Sequence, residues 1–219
     1  MVHTRATMLQ LIGMLDSPYV RRVAVSLQLL GLEFEHRPLS VFGSFEQFAL
    51  INPIVKAPTL VCADGTVLLD STLILEYLEQ LVGPDRSLLP RSSGDLARCL
   101  RTVGLALAAC EKSVQIVYEH MLRPPEKRHE PWLTRITRQL LAAYRLLESE
   151  IGYLPLPASG SRMDQAAVTA AVAWHFTQQM LPQVVTASDH PRLEALSAAA
   201  ERRVEFAAAP HGTGSCHAA

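Results

Sequence analysis

Residues 9–39, LQLIGMLDSPYVRRVAVSLQLLGLEFEHRPL, are patterned as a strand, a helix and a second strand. Leu9 to Met14 is a nearly continuous apolar run, as a buried strand requires. Ser17 and Pro18 follow; a hydroxyl residue at the N-cap and proline at the first helical position make a good helix start. From Pro18 to Leu30, the residues Val20, Val23, Ala24, Leu27 and Leu30 recur at helical spacing, and Gly31 stops the run. Glu33 to Leu39 alternates, with Phe34, His36 and Pro38 on one face; the proline suits an edge or a strand end. Two strands joined through a helix imply parallel neighbours.

Downstream, Ser44 to Ile51 reads as a short helical turn that Asn52-Pro53 breaks. Thr59 to Cys62 and Val67 to Asp70 are short apolar runs around Ala63-Asp64-Gly65-Thr66, a hairpin signal. Ser71 to Leu81 closes the unit as a helix. The expected order is β-α-β-α-β-β-α with a mixed sheet, an α/β domain over 9–82 after an N-terminal extension 1–8. The stretch 83–94, GPDRSLLPRSSG, reads as a linker. Beyond it no strand pattern occurs. Asp95 to Leu122 and Pro131 to Ile151 have long helical periodicity, and Tyr153 to Gly160 is a Pro/Gly loop. Ser161 to Met180 reads as a helix capped by Ser161, with Asp164 in the reciprocal position. A last helix runs from Pro191 to about Val204. The expectation is an all-helical domain over 95–205 and a flexible tail over 206–219.

The chain has 219 residues, 49% of them hydrophobic, which is ample for two modest cores. Its 20 Lys+Arg nearly balance 21 Asp+Glu, so there is no electrostatic footprint for nucleic acid or an anionic membrane. No apolar run approaches the ~20 residues that span a bilayer, and the first ten residues lack a signal-peptide core. A cytoplasmic protein is expected. Cys62, Cys99, Cys110 and Cys216 form no C-x-x-C pair, and no H-E-x-x-H occurs, so no metal is expected. His211, Cys216 and His217 read as part of a frayed end rather than a metal site.

Three local features carry chemistry. Ser17 at the head of the first helix is either a plain N-cap or a hydroxyl placed to stabilise a thiolate, helped by unpaired N–H groups and the helix dipole. Lowering a thiol pKa by about two units takes ~2.7 kcal/mol. A hydrogen bond to a charged group contributes ~1.5–3 kcal/mol and a helix terminus ~0.3–1, which suffices without a metal. In Asn52-Pro53-Ile54-Val55-Lys56-Ala57-Pro58-Thr59-Leu60, Pro58 is either an ordinary trans proline or a cis proline whose turn exposes the Ala57 backbone to an extended peptide. At Asp70-Ser71-Thr72, either side chain caps the next helix, or the Ser71 hydroxyl and free N–H groups bind a carboxylate while Asp70 balances an ammonium.

Together, in this order and at these intervals, the three motifs resemble the glutathione transferase superfamily over most of the chain. The segments N-P-x-x-K-x-P-x-L and (D/E)-S-x-x-I are the most specific marks. The resemblance implies a thioredoxin-like domain followed by a helical bundle, and a cytosolic enzyme of detoxification that conjugates glutathione to a small hydrophobic electrophile. A glutathione-dependent peroxidase or dehalogenase reaction would use the same thiolate. A non-catalytic binding or regulatory relative is the contrasting reading. By position, Ser17 would donate to the glutathione sulfur and Arg22 would support that end of the site. Ala57, held by a cis Pro58, would pair with the cysteinyl backbone, Asp70 and Ser71 would bind the γ-glutamyl end, and Lys56 would reach the glycyl carboxylate. The electrophile pocket would lie between the domains, near Val114, Tyr118, Met121 and Leu122, residues that also suit a core. Trp132 and Trp174 read as packing residues, and a homodimer is implied. Two departures stand out. Val55 replaces the usual glycine before Lys56, and the Ser17 motif has neither a catalytic cysteine nor the serine- and cysteine-rich pattern of the maleylacetoacetate isomerase class.

Overall fold

The computed structural model describes residues 8–154 and 162–216. Two compact units form: Met1–Leu88 together with Val204–Ala219, and Leu89–Arg203. In the first unit the order is β1 (Leu9–Ile12), α1 (Pro18–Leu29), β2 (Phe34–Arg37), α2 (Phe45–Ala49), β3 (Thr59–Val61), β4 (Val67–Leu69) and α3 (Ser71–Val82). The second unit holds α4 (Ser93–Met121), α5 (Glu130–Glu150), α6 (Gln165–Met180) and α7 (Pro191–Glu201). The chain then returns to the first unit through α8 (Val204–Ala207).

The sheet has the order β2-β1-β3-β4. β1 runs parallel to β2, as the connecting helix requires, and antiparallel to β3; β3 and β4 form the hairpin. β1 is central, and its Leu11 and Ile12 are fully buried. α1 begins where the sequence reading puts it. Ser17 is the N-cap and Pro18 the first helical residue. It ends on Gly31 at φ 61, where Gly31 N–H donates to the Gln28 carbonyl and Leu32 N–H to that of Leu27. A left-handed residue there is what this double bond needs, and glycine adopts it without cost. Val20, Val23, Ala24 and Leu27 of α1 and Ile74 and Leu78 of α3 are fully buried. The mixed sheet and the helical remainder match the expected fold class.

In the second unit α6 is the central element, with every residue from Gln165 to Trp174 buried. Trp174 Nε1–H donates to Glu194 (2.9 Å), and the Tyr144 ring meets it edge-on at 5.3 Å. Trp174 is the packing residue expected; Trp132, near the start of α5, is instead exposed. α6 also starts later than the spacing suggested. Asp164 is itself the N-cap, accepting from Ala167 N–H at 2.8 Å, while Ser161 lies outside the described residues. α4 starts at Ser93, inside the expected linker, because Ser92 caps it by accepting from Asp95 N–H.

Residues from 206 onward, expected as a flexible tail, pack against the first unit through residue 216. Phe206 and Ala209 are fully buried. Arg21 of α1, itself buried, lies over the Phe206 ring and donates from Nε to the Ala209 carbonyl at 2.8 Å. The composition of the segment conceals this, because alanine and glycine pack well wherever one aromatic anchor is present.

Candidate functional site

Register alone brings the three sequence motifs to one edge of the sheet. Ile12 of β1 is level with Thr59 of β3, and Thr59 with Leu69 of β4. Gly13, which follows Ile12, Pro58, which precedes Thr59, and Asp70, which follows Leu69, therefore line up at the same end. The N-termini of α1 and α3 lie at this end, so two positive dipole ends face the same region.

Gly13 makes this close approach feasible. A Cβ there would fall 2.6 Å from Val20 Cγ2 and 3.0 Å from the Ala57 Cβ, and its φ is 136. Its N–H donates to the Arg37 carbonyl at 3.1 Å, and its own carbonyl is 2.7 Å from His36 Nε2. The sequence reading placed Gly13 inside a strand and gave it no role; glycine at the end of a buried strand was the available signal.

Ser17 is half-buried, and its Oγ accepts from Val20 N–H at a long 3.4 Å. That contact uses an oxygen lone pair, which leaves the hydroxyl proton for donation to a bound group. Partial burial pushes the neighbouring Asp16 carboxyl up, against the pull of the Ser17 amide.

The Ala57–Pro58 bond is cis. The loop before it is stapled by Asn52, which is buried: its Nδ2 donates to Thr59 Oγ1 (2.9 Å), and its Oδ1 accepts from Ile54 N–H (3.1 Å). Thr59 Oγ1 in turn donates to the Lys56 carbonyl at 2.7 Å. The sequence marked Asn52 as a helix breaker and as the start of the N-P-x-x-K-x-P-x-L segment, but not as the staple of this loop. Val55 sits at φ 51, the left-handed region where the replaced glycine would be at ease. Lys56 is exposed and Ala57 half-buried.

At α3, Asp70 is the N-cap, with φ 71 and Oδ1 accepting from Thr72 N–H at 2.9 Å. Ser71 is buried. Arg22, expected at the sulfur end, has its Nη1 3.0 Å from Ser71 Oγ and 3.3 Å from Thr72 Oγ1. Only 3% of Arg22 is exposed. Five positions along α1 from Ser17, it reaches the start of α3 because those two helices pack together. A fixed guanidinium beside the positive end of α3 favours a carboxylate. Ser71 Oγ accepts from Arg22, so its proton remains available for such a ligand.

The proposed electrophile-pocket residues Val114, Tyr118 and Met121 lie on α4, and Leu122 is its C-cap. Val114 is half-buried, whereas Tyr118 and Met121 are exposed, Met121 by 70%, as is Leu122. The last three are therefore not core residues, the alternative that their apolar character left open. Among the described residues, no group of three or more His, Cys, Asp and Glu side chains is arranged to hold a metal ion. No described helix is long and apolar enough to cross a membrane.

The family model described as Glutathione S-transferase, N-terminal domain, matches residues 11–86. An uncharacterised GST-like protein, YibF, of Escherichia coli (strain K12) is 30% identical over 146 residues, covering 67% of this chain and 70% of its own. A probable maleylacetoacetate isomerase of Caenorhabditis elegans is 34% identical over 90 residues, 40% of this chain and 41% of its own. Among solved structures, a glutathione transferase family member from Pseudomonas fluorescens Pf-5 with bound glutathione superposes with a TM-score of 0.80. It is 32% identical, and the match covers 93% of this chain and 99% of that one.

Proposed function

We propose that this chain, which belongs to the glutathione transferase superfamily, binds glutathione at the shared end of β1, β3 and β4 and transfers it to a small hydrophobic electrophile. The observation that carries the reading is the register Ile12–Thr59–Leu69, which aligns the Ser17 turn, Ala57-Pro58 and Asp70-Ser71. The neighbour with bound glutathione supports the ligand.

In this reading the γ-glutamyl carboxylate lies at the start of α3, accepting from the Ser71 hydroxyl and a helix N–H, with Arg22 behind Ser71. Asp70 keeps one oxygen on Thr72 N–H and offers the other to the ammonium. The Ala57 backbone pairs with the cysteinyl residue, and Lys56 reaches the glycyl carboxylate. Ser17 donates its hydroxyl to the sulfur. The thiol proton passes to solvent, and the thiolate's electron pair forms the S–C bond while the electrophile loses its leaving group or takes up a proton. The work of the protein is thiolate stabilisation and proximity. Val114, Tyr118 and Met121 remain the proposed contacts of the electrophile. A homodimer accompanies this reading, with light scattering as its check.

The test is a thermal melt against glutathione. Binding to the native state alone adds about 1.4 kcal/mol at ten times Kd and ~2.7 at a hundred times; no shift at saturation overturns the reading. Ser17→Ala should then slow conjugation about ten- to a hundredfold, the worth of one hydrogen bond to a charged group, with glutathione affinity largely kept. An unchanged rate removes Ser17 from the mechanism. A melt that shifts with no turnover on any electrophile leaves the non-catalytic binding role.

A further inference from the structure

The Gly13 carbonyl and the C-terminal segment meet on one imidazole. His36 lies in β2, level with Leu11. Its Nε2 is 2.7 Å from the Gly13 carbonyl oxygen, and its Nδ1 is 3.0 Å from the Cys216 nitrogen, 180 positions away in sequence. A carbonyl only accepts and a backbone N–H only donates. Both contacts therefore hold for a single form of the ring, neutral with its proton on Nε2. The C-terminal segment is anchored on its way there by the Arg21–Ala209 bond and by the buried Phe206. Gly13 N–H is held by Arg37 of the same strand, so β2 grips both polar groups of the residue from which the turn to Ser17 departs. That turn closes with Ser17 N–H donating to the Met14 carbonyl at 3.2 Å.

We infer that His36 is a positioning residue for the Ser17 turn, and that the Cys216 amide, by occupying Nδ1, locks the ring in the form that supports the Gly13 carbonyl. A second proton on the ring turns Nδ1 into a donor facing the Cys216 donor. Two donors cannot pair, so the Cys216 contact is lost and the ring is no longer fixed from its Nδ1 side, while its Nε2–H can still donate to the Gly13 carbonyl. Mild acid thus releases the C-terminal segment and, with it, the restraint that fixes the ring beneath the Ser17 turn. Burial lowers the His36 pKa, and the Gly13 carbonyl opposes that shift. The ionisable groups on the elements around it are Asp16 in the turn, Tyr19, Arg21 and Arg22 on α1, Glu205, His211 and Cys216 in the C-terminal segment, and Glu35 and Arg37 on its own strand.

The structural half of this inference stands without glutathione; the catalytic half rests on the function proposed above. The experiment uses the full-length chain and compares wild type with Cys216→Pro, which lacks the amide N–H, and Cys216→Ala, which keeps it. Nitrogen chemical shifts of the imidazole should report the Nε2–H form in wild type, and a proton on Nδ1 at neutral pH overturns the proposal. Amide exchange at Cys216 and Ser17, corrected for its intrinsic pH dependence, should accelerate together as His36 protonates. In His36→Gln, which offers a donor but does not titrate, that step should vanish. Independent behaviour of the two amides in wild type overturns the coupling, whether or not the proline variant folds. With glutathione and an electrophile, Cys216→Pro should lower kcat about threefold to tenfold relative to Cys216→Ala, the worth of one neutral hydrogen bond, with KM little changed. Equal kcat values overturn the positioning role. A chain that binds no glutathione refutes the proposed function and leaves the imidazole and exchange results to decide the rest.

Discussion

Val55 holds a conformation that its side chain disfavours. At φ 51 its branched Cβ crowds the backbone, a cost of order 1–3 kcal/mol. Glycine relieves that strain and itself costs roughly 0.5–1 kcal/mol in unfolded-chain entropy. Val55→Gly should therefore stabilise the chain by about 1 kcal/mol, read as a raised denaturation midpoint with unchanged slope; a lowered midpoint refutes the strain. Ser71 poses a different question, because its oxygen is already engaged by Arg22 while its proton is not. Ser71→Ala should weaken glutathione binding by about ten- to a hundredfold, measured by titration calorimetry, with the pKa of the bound thiol little changed. Equal affinity sinks the carboxylate site. Ser17 and Asp70 were legible as helix caps because a cap is a local pattern. Arg22 at the start of α3 was not legible, since its partners come from 49 and 50 positions along the chain.

The elements themselves followed closely from periodicity and turn chemistry. The hairpin around Asp64-Gly65 and the helix opened by Ser17-Pro18 appeared within a residue or two of their expected bounds. The misses fall where composition is a poor guide. The alanine-rich end of the chain carries too little apolar mass to announce itself, yet Phe206 of α8 is wholly enclosed and lies under the Arg21 guanidinium. Phe206→Ala should cost about 3–5 kcal/mol in chemical denaturation. A loss below about 1 kcal/mol, the mean for point substitutions in general, would mean that the segment is not part of the core.

Across the whole molecule, partly desolvated ionisable groups set how stability answers to pH. Desolvation depresses His36 and raises Asp16 and Asp164. A depressed histidine contributes stability that is present above its unfolded value of 6.5 and is lost as pH falls through the lower folded value. The raised carboxyls act oppositely: their contribution is present below 3.8 and is lost as pH rises through their folded values. Denaturation measured from pH 7.5 downward should thus lose stability below about pH 6.5, at no more than about 1.4 kcal/mol per pH unit for one proton. The decline should flatten as the two aspartates protonate. His36→Gln should remove the histidine step, and identical slopes in both proteins would place the acid sensitivity elsewhere.

By itself the sequence determined the order of strands and helices in the first unit and the caps at Ser17 and Asp70, while the roles proposed for Lys56, Ala57 and Ser71 came from the resemblance of its motifs. The elements and caps depend on neighbours within a few positions, where period and turn propensity act. Only the tertiary structure decided what these residues touch. Placing β1 between β2 and β3 sets Gly13 against Ala57 on one side and His36 on the other. The packing of α1 against α3 carries Arg22 to Ser71, and the return of the chain after α7 seats Phe206 on Arg21 and Cys216 on His36. Such contacts join segments far apart in sequence through shape and burial, and neither leaves a periodic trace in the residues that make them.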